Sequence, residues 1–179
     1  MAESWVKDVL DFWFSHGWED WWKPEAAFDE EVRERFGILW ARQARRPIDA
    51  FAGDPDTALA AVILFDQFPR NMFRDDAEQF ATDHLALGIA KGALEKEYDK
   101  DLAVEERAFF YMPFQHSESL ADQKRSMLLY AELGDDRFAP FAKKHYDVIE
   151  RFGRFPHRNA ILGRAPRPDE LAAGDVTPF

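Results

Sequence analysis

Apolar positions recur at helical spacing along almost the whole chain. Trp5, Val9 and Trp13 are four apart, and so are Val6, Leu10 and Phe14. Two adjacent rows of this kind predict a broad apolar stripe on a first helix, capped by Ser4 and ended by Gly17. Pro24 with Glu25, Asp29, Glu30 and Glu31 predicts a second helix start, because early acids suit the N-terminal dipole. Phe28, Val32, Phe36, Leu39 and Trp40 keep its spacing, and Pro47 stops it. Asp54-Pro55 reads as a cap followed by proline at the first helical position. The helix it opens, through Leu59, Val62, Ile63 and Phe65, is apolar nearly all round and is therefore expected to be central. Pro69 is expected to close it at Phe68.

The pattern continues in the second half. Asp75-Asp76 predicts a fourth helix running to Leu94. A fifth runs from Val104 to Tyr111 and is interrupted at Pro113. Ser117 or Ser119 caps a sixth that reaches Leu133, where Gly134 ends it. Pro140 opens a seventh that Gly153 ends, and Pro168-Asp169-Glu170 begins a short last one. The tail from Gly174 is expected to be loosely held. No β-alternation of useful length occurs. The expected fold is all-α: one domain over residues 1–179, with about seven to nine helices packed as antiparallel pairs.

Composition narrows the function classes. Aromatic residues make up 15% of the 179 positions, with 17 Phe and 6 Trp, which supports a large core without disulfides. The Trp18, Trp21 and Trp22 connector reads either as a lid on that core or as a pocket wall. There is no cysteine, which excludes thiol chemistry and Cys-ligated metal. The net charge of −11 repels phosphate backbones, so no nucleic-acid partner is expected. The start of the chain lacks a signal-peptide pattern, and no apolar run is long enough to span a bilayer. A soluble, cytoplasmic protein without a membrane partner is expected; the sequence does not set its oligomeric state.

Common enzyme signatures are absent: no P-loop, no Gly-rich dinucleotide turn, no GxSxG and no HExxH. Three polar runs at predicted helix ends carry the candidate chemistry. They are Asp66 to Asn71, Gln115 to Gln123, and Arg154 to Asn159 within the basic stretch RFGRFPHRNAILGR. Asp66, Arg70, Asn71, Arg154, Arg158 and Asn159 are candidate ligand-binding residues, since guanidinium forks suit a carboxylate or phosphate. His116, His157 and Glu118 are candidate proton-transfer residues, since a histidine beside a carboxylate titrates near neutrality. Structural readings stand beside these: Arg70 and Arg158 paired with Asp66, Glu118 or Asp122, and Asn71 and Asn159 as helix caps. His116, Glu118, Asp122 and His157 have ligand-type groups at no recognised metal spacing, so no metal or cofactor is assigned. The three runs are expected to meet in one site.

The runs FW near the start, ALAAVILFDQFPRNMFR, FATDHLAL, ERAFFYMPFQHSESLADQ and RFGRFPHRNAILGR resemble, in order, the motifs of the bacterial domain-of-unknown-function family 924. The resemblance covers nearly the whole chain and implies an α-helical fold related to tetratricopeptide-like superhelices. It implies no activity, cofactor or catalytic residue. Two functions fit these expectations. One is a protein or enzyme that holds a small anionic molecule in an Arg/His/carboxylate pocket between helices. The other is a tetratricopeptide-like module that binds a peptide in a concave groove, a basic one by charge.

Overall fold

The computed structural model describes residues 4–179, in which every regular element is helical. Contacts group the chain into two units, the first ending at Phe110 and the second running from Tyr111 to Phe179. The acidic excess lies in the first unit; from Tyr111 onward acidic and basic residues balance.

The first unit contains α1 (Ser4–Ser15), α2 (Trp18–Trp22), α3 (Ala26–Gln43), α4 (Pro55–Val62), α5 (Phe68–Met72) and α6 (Asp83–Glu95). The helix α7 (Val104–His116) begins there and ends in the second unit. At the centre, residues 58–69 are buried without a break, as an element apolar on every side must be. Asp54 caps α4 as expected, its carboxylate accepting from the N–H and the hydroxyl of Thr57, each at 2.8 Å. α4 packs against α1 and α6, and α5 against α3. Gly88 on α6 leaves room for Ile48, whose Cδ1 lies 2.6 Å from where a Cβ would sit. Phe12, Trp13, Phe28, Phe36 and Phe68 form a continuous ring cluster. Trp21 closes it, donating its indole N–H to the Trp13 carbonyl at 3.0 Å, so this residue is a core lid.

Pro69 does not end the central helix. Phe68 stays helical (φ −58°, ψ −39°), and α4 and α5 are joined by a π-turn at Ile63–Gln67. The reason lies in one carbonyl. A proline at position 69 has no N–H to give to Phe65 O. The Thr82 hydroxyl donates to that oxygen instead, at 2.7 Å, and itself accepts from Trp40 Nε1 at 3.1 Å. The predicted fourth helix also divides: Asp76 caps a 3₁₀ turn at Ala77–Phe80, and α6 starts separately at Asp83.

The second unit holds the end of α7, then α8 (Leu120–Leu133), α9 (Ala139–Phe152) and α10 (Pro168–Ala173). α8 and α9 form a helical hairpin. Gly134 and Gly153 take left-handed conformations (φ 70° and 69°) at the C-caps, as the sequence predicts. Pro113 does not interrupt α7. The buried Gln123 amide donates to the Phe114, Gln115 and Ser117 carbonyls at 3.4, 2.7 and 2.7 Å, closing the end of the helix beyond the proline. The tail is packed rather than loose: Val176 and Thr177 are half-buried and Pro178 is buried.

The Phe65 carbonyl yields a direct prediction. Thr82→Val keeps the side-chain shape but leaves that buried oxygen and the Trp40 N–H without their partner. It should destabilise the protein by about 1–3 kcal/mol in urea denaturation, whereas an unchanged midpoint would mean the hydroxyl contributes nothing to the π-turn.

Candidate functional site

The run Asp66 to Asn71 lies in the first unit, where each polar group has a structural partner. Arg70 on α5 donates to the Asp66 carbonyl and forks onto Asp83, with Nη1 to Oδ1 at 2.8 Å and Nη2 to Oδ2 at 3.0 Å. The Asp66 carboxylate, fully buried, is 3.5 Å away. Burial works against the Arg70 charge, but Asp83 and Asp66 together outweigh it and hold its pKa above the usual guanidinium value. Asn71 caps nothing: its amide donates to Asp29 Oδ1 at 2.8 Å, and Arg74 forks onto the same carboxylate. The segment ties α5 to α3 and α6.

The other two runs meet in the second unit. Glu118, just beyond α7, accepts from the Phe155 N–H at 2.8 Å and from both terminal nitrogens of Arg164, at 2.8 and 2.9 Å. Arg164 also donates Nε to Asn159 Oδ1 at 3.0 Å and Nη2 to the Phe155 carbonyl at 3.0 Å. Asn159 passes the chain on, its amide donating to Glu170 Oε2 at 2.9 Å. Glu170, which opens α10, accepts further from Arg154 Nε and Nη2 at 2.6 and 2.8 Å and from the Arg167 N–H at 2.7 Å. The Asn159 side chain is therefore a link in this chain and not the expected N-cap; its backbone N–H closes the 3₁₀ turn Pro156–Arg158. Arg158 is buried, with its guanidinium 4.5 Å above the Phe155 ring.

Proton affinities follow from these contacts. Burial pushes Glu118 upward, but hydrogen bonds from Arg164 and Phe155 and the charges of Arg164 and Arg158 bring it below the usual carboxylate range. The Arg154 hydrogen bonds, opposed by burial and helped by Arg167 and Asn159, draw Glu170 down to about 2. Both carboxylates are ionised near pH 7. Glu118, with each oxygen occupied, is a clamp and a poor proton donor at that pH.

His145 and His157 flank Phe155, and His116 lies beside His145. His116 and His145 have ring centroids 6.1 Å apart, and Phe155 lies 5.5 Å from both His145 and His157. His145 Nδ1 is 2.7 Å from the Phe141 carbonyl. Burial, then His116, Arg158 and His157, lower His145 to about 3. Burial and Arg158 lower His157 to about 4 against the opposing pull of Glu118. Among the described residues, no three His, Asp or Glu side chains converge in a way that would hold a metal ion.

Beside this network is a cleft of about 440 Å³. It is lined by Pro156, His157, Asn159 and Arg164, by Glu170 and Leu171 of α10, and by Asp175, Val176 and Thr177 beyond that helix. The sequence reading of the site omitted Arg164, Glu170 and Asp175. Arg164 stands in the same basic run as Arg154. Glu170 reads as an ordinary early acid of a short helix, and nothing local marks its pairing with a residue sixteen positions back.

The buried histidines make stability depend on pH. Unfolded, each takes a proton near 6.5; folded, they resist until about 4 and about 3. As pH falls below about 6.5 the unfolded state gains protons that the folded state does not, so stability falls. His145 alone should cost about 2 kcal/mol between pH 7 and pH 5, above the range where the carboxylates titrate. His145→Gln should flatten that slope in denaturation midpoints; an identical slope would contradict the assignment.

Comparison with known proteins places the chain. The family model described as "Bacterial protein of unknown function (DUF924)" matches residues 9–173. The solved structure of a protein of unknown function, ATU0120 from Agrobacterium tumefaciens, is 40% identical with a TM-score of 0.88, covering 94% of this chain and 95% of that one. No curated protein matches. The chain belongs to the DUF924 family of bacterial proteins.

Proposed function

We propose that the protein binds a small polar molecule in the cleft of the second unit. The observation that carries this reading is the cleft itself. Its volume of about 440 Å³ lies in the range of small-molecule sites, and its walls mix apolar surface with a few polar groups. Arg164, Asn159 and Glu170 line it and are held from behind by Glu118 and Arg154, so their geometry is fixed by hydrogen bonds, as a preorganised site requires.

The charges refine the ligand class. Arg154, a candidate for gripping an anion, is forked onto Glu170, and Arg164 is forked onto Glu118. The cleft therefore favours an uncharged or zwitterionic ligand over a strong anion. His157 supplies an imidazole that is neutral near pH 7, with a buried Nδ1 lacking a hydrogen-bond partner. Held at about 4, it is a weak base near neutrality, so we read it as a neutral polar group on the wall and not as a proton acceptor. No described helix is long and apolar enough to cross a membrane, and a cysteine-free chain suits the cytoplasm in which we place it.

Native mass spectrometry of the protein purified from cell extract tests the reading. The wild type should retain a small molecule. Leu171→Trp, at a largely exposed position on the cleft wall, should fold normally and retain about tenfold less. An empty wild type, or full retention by the variant, would place binding elsewhere or nowhere.

A further inference from the structure

The cleft has one wall built differently from the others. Asn159, Arg164 and Glu170 are cross-linked by hydrogen bonds through the Asn159 amide, whereas Asp175, Val176 and Thr177 belong to the stretch that follows α10. Within that stretch the Thr177 N–H and hydroxyl both donate to Asp175 Oδ1, at 2.9 and 2.7 Å, so residues 175–177 form a self-bonded turn. It leaves α10 through Gly174 at φ 71°, ψ −141°, a conformation that residues with a Cβ rarely adopt. Beyond the turn, Pro178 is buried, and the Phe179 ring stands edge-on to His157 at 5.4 Å and tilted over His145 at 6.3 Å. Phe179 is nonetheless 73% exposed. A glycine pivot, a turn that carries its own hydrogen bonds, and an aromatic anchor with one face in water can swing as a unit without leaving buried polar groups unmet.

We propose that residues 175–179 are a lid over the cleft, hinged at Gly174 and latched by Phe179 against His145 and His157. The proposal rests on the reading of the cleft as a ligand site and adds its control: lifting the Phe179 latch widens the cleft for entry and release. The lid's own side chains, Val176 and Thr177, then complete the enclosure around a bound molecule.

The chain has no cysteine, so a single introduced one reports lid opening without any ligand. Val176→Cys puts a thiol on the half-buried inner face of the lid, and Leu128→Cys, on exposed α8, serves as the reference. With Phe179 in place, fluorescein maleimide should label the lid thiol about tenfold more slowly than the reference thiol. Adding Phe179→Ala should bring the lid thiol to within about twofold of the reference, with the reference rate and the thermal midpoint unchanged. Phe179→Trp, which keeps a ring, should restore slow labelling. Fast labelling of the lid thiol beside intact Phe179, or slow labelling in the alanine variant, would overturn the lid. Because the readout needs no ligand, a working lid on a protein that retains no small molecule would defeat the proposed function and leave the lid standing.

Discussion

Burying a guanidinium costs several kcal/mol unless its N–H groups meet acceptors, and much of this structure is arranged to meet that condition. Arg70, Arg154 and Arg164 are at most a quarter exposed at the side chain, and each forks onto a carboxylate far along the sequence or in another element. Asp83, Glu170 and Glu118 are those carboxylates, and each stands where a helix begins or has just ended. The pairs fix helix ends against each other in places where backbone groups would otherwise be unmet. In the second unit the result is a rigid wall, and the cleft is the space beside it.

This constraint explains why residues that look like an anion site act as braces. A lone arginine fork would seek a carboxylate or phosphate from solution. Here the forks already hold internal carboxylates, and the ionised state of Glu118 and Glu170 records that occupation. The rest of the cleft lining is milder: a neutral imidazole on His157, the self-bonded pair Asp175 and Thr177, and apolar surface from Pro156, Pro166 and Leu171.

Much of the fold was legible because helices announce themselves by apolar spacing and by caps. Asp54, Gly134 and Gly153 act as their local sequence suggests. Two failures lie at prolines. Pro69 should stop a helix, but the Thr82 hydroxyl takes over the Phe65 carbonyl that the proline cannot meet. Pro113 stays inside α7, whose carbonyls beyond the proline are closed by the Gln123 amide. Neither side chain is near the proline in the sequence. The candidate site divides similarly. Glu118, Arg154, Arg158, His157 and Asn159 come together within the second unit, while Asp66, Arg70 and Asn71 form a packed cluster within the first. Residue type marked these positions as chemically loaded, but only three-dimensional pairing shows which charges are already matched.

The central claim is that internal ion pairs hold the wall of the cleft, and the Glu118–Arg164 pair tests it most directly. A double-mutant cycle with Glu118→Ala and Arg164→Ala, read by urea denaturation, isolates their mutual energy from the loss of each side chain's other contacts. Coupling of about 1.5 kcal/mol or more is predicted for a partly buried, bidentate pair whose hydrogen bonds are charge-assisted. Coupling below about 0.3 kcal/mol, the level of an idle surface pair, would contradict the account.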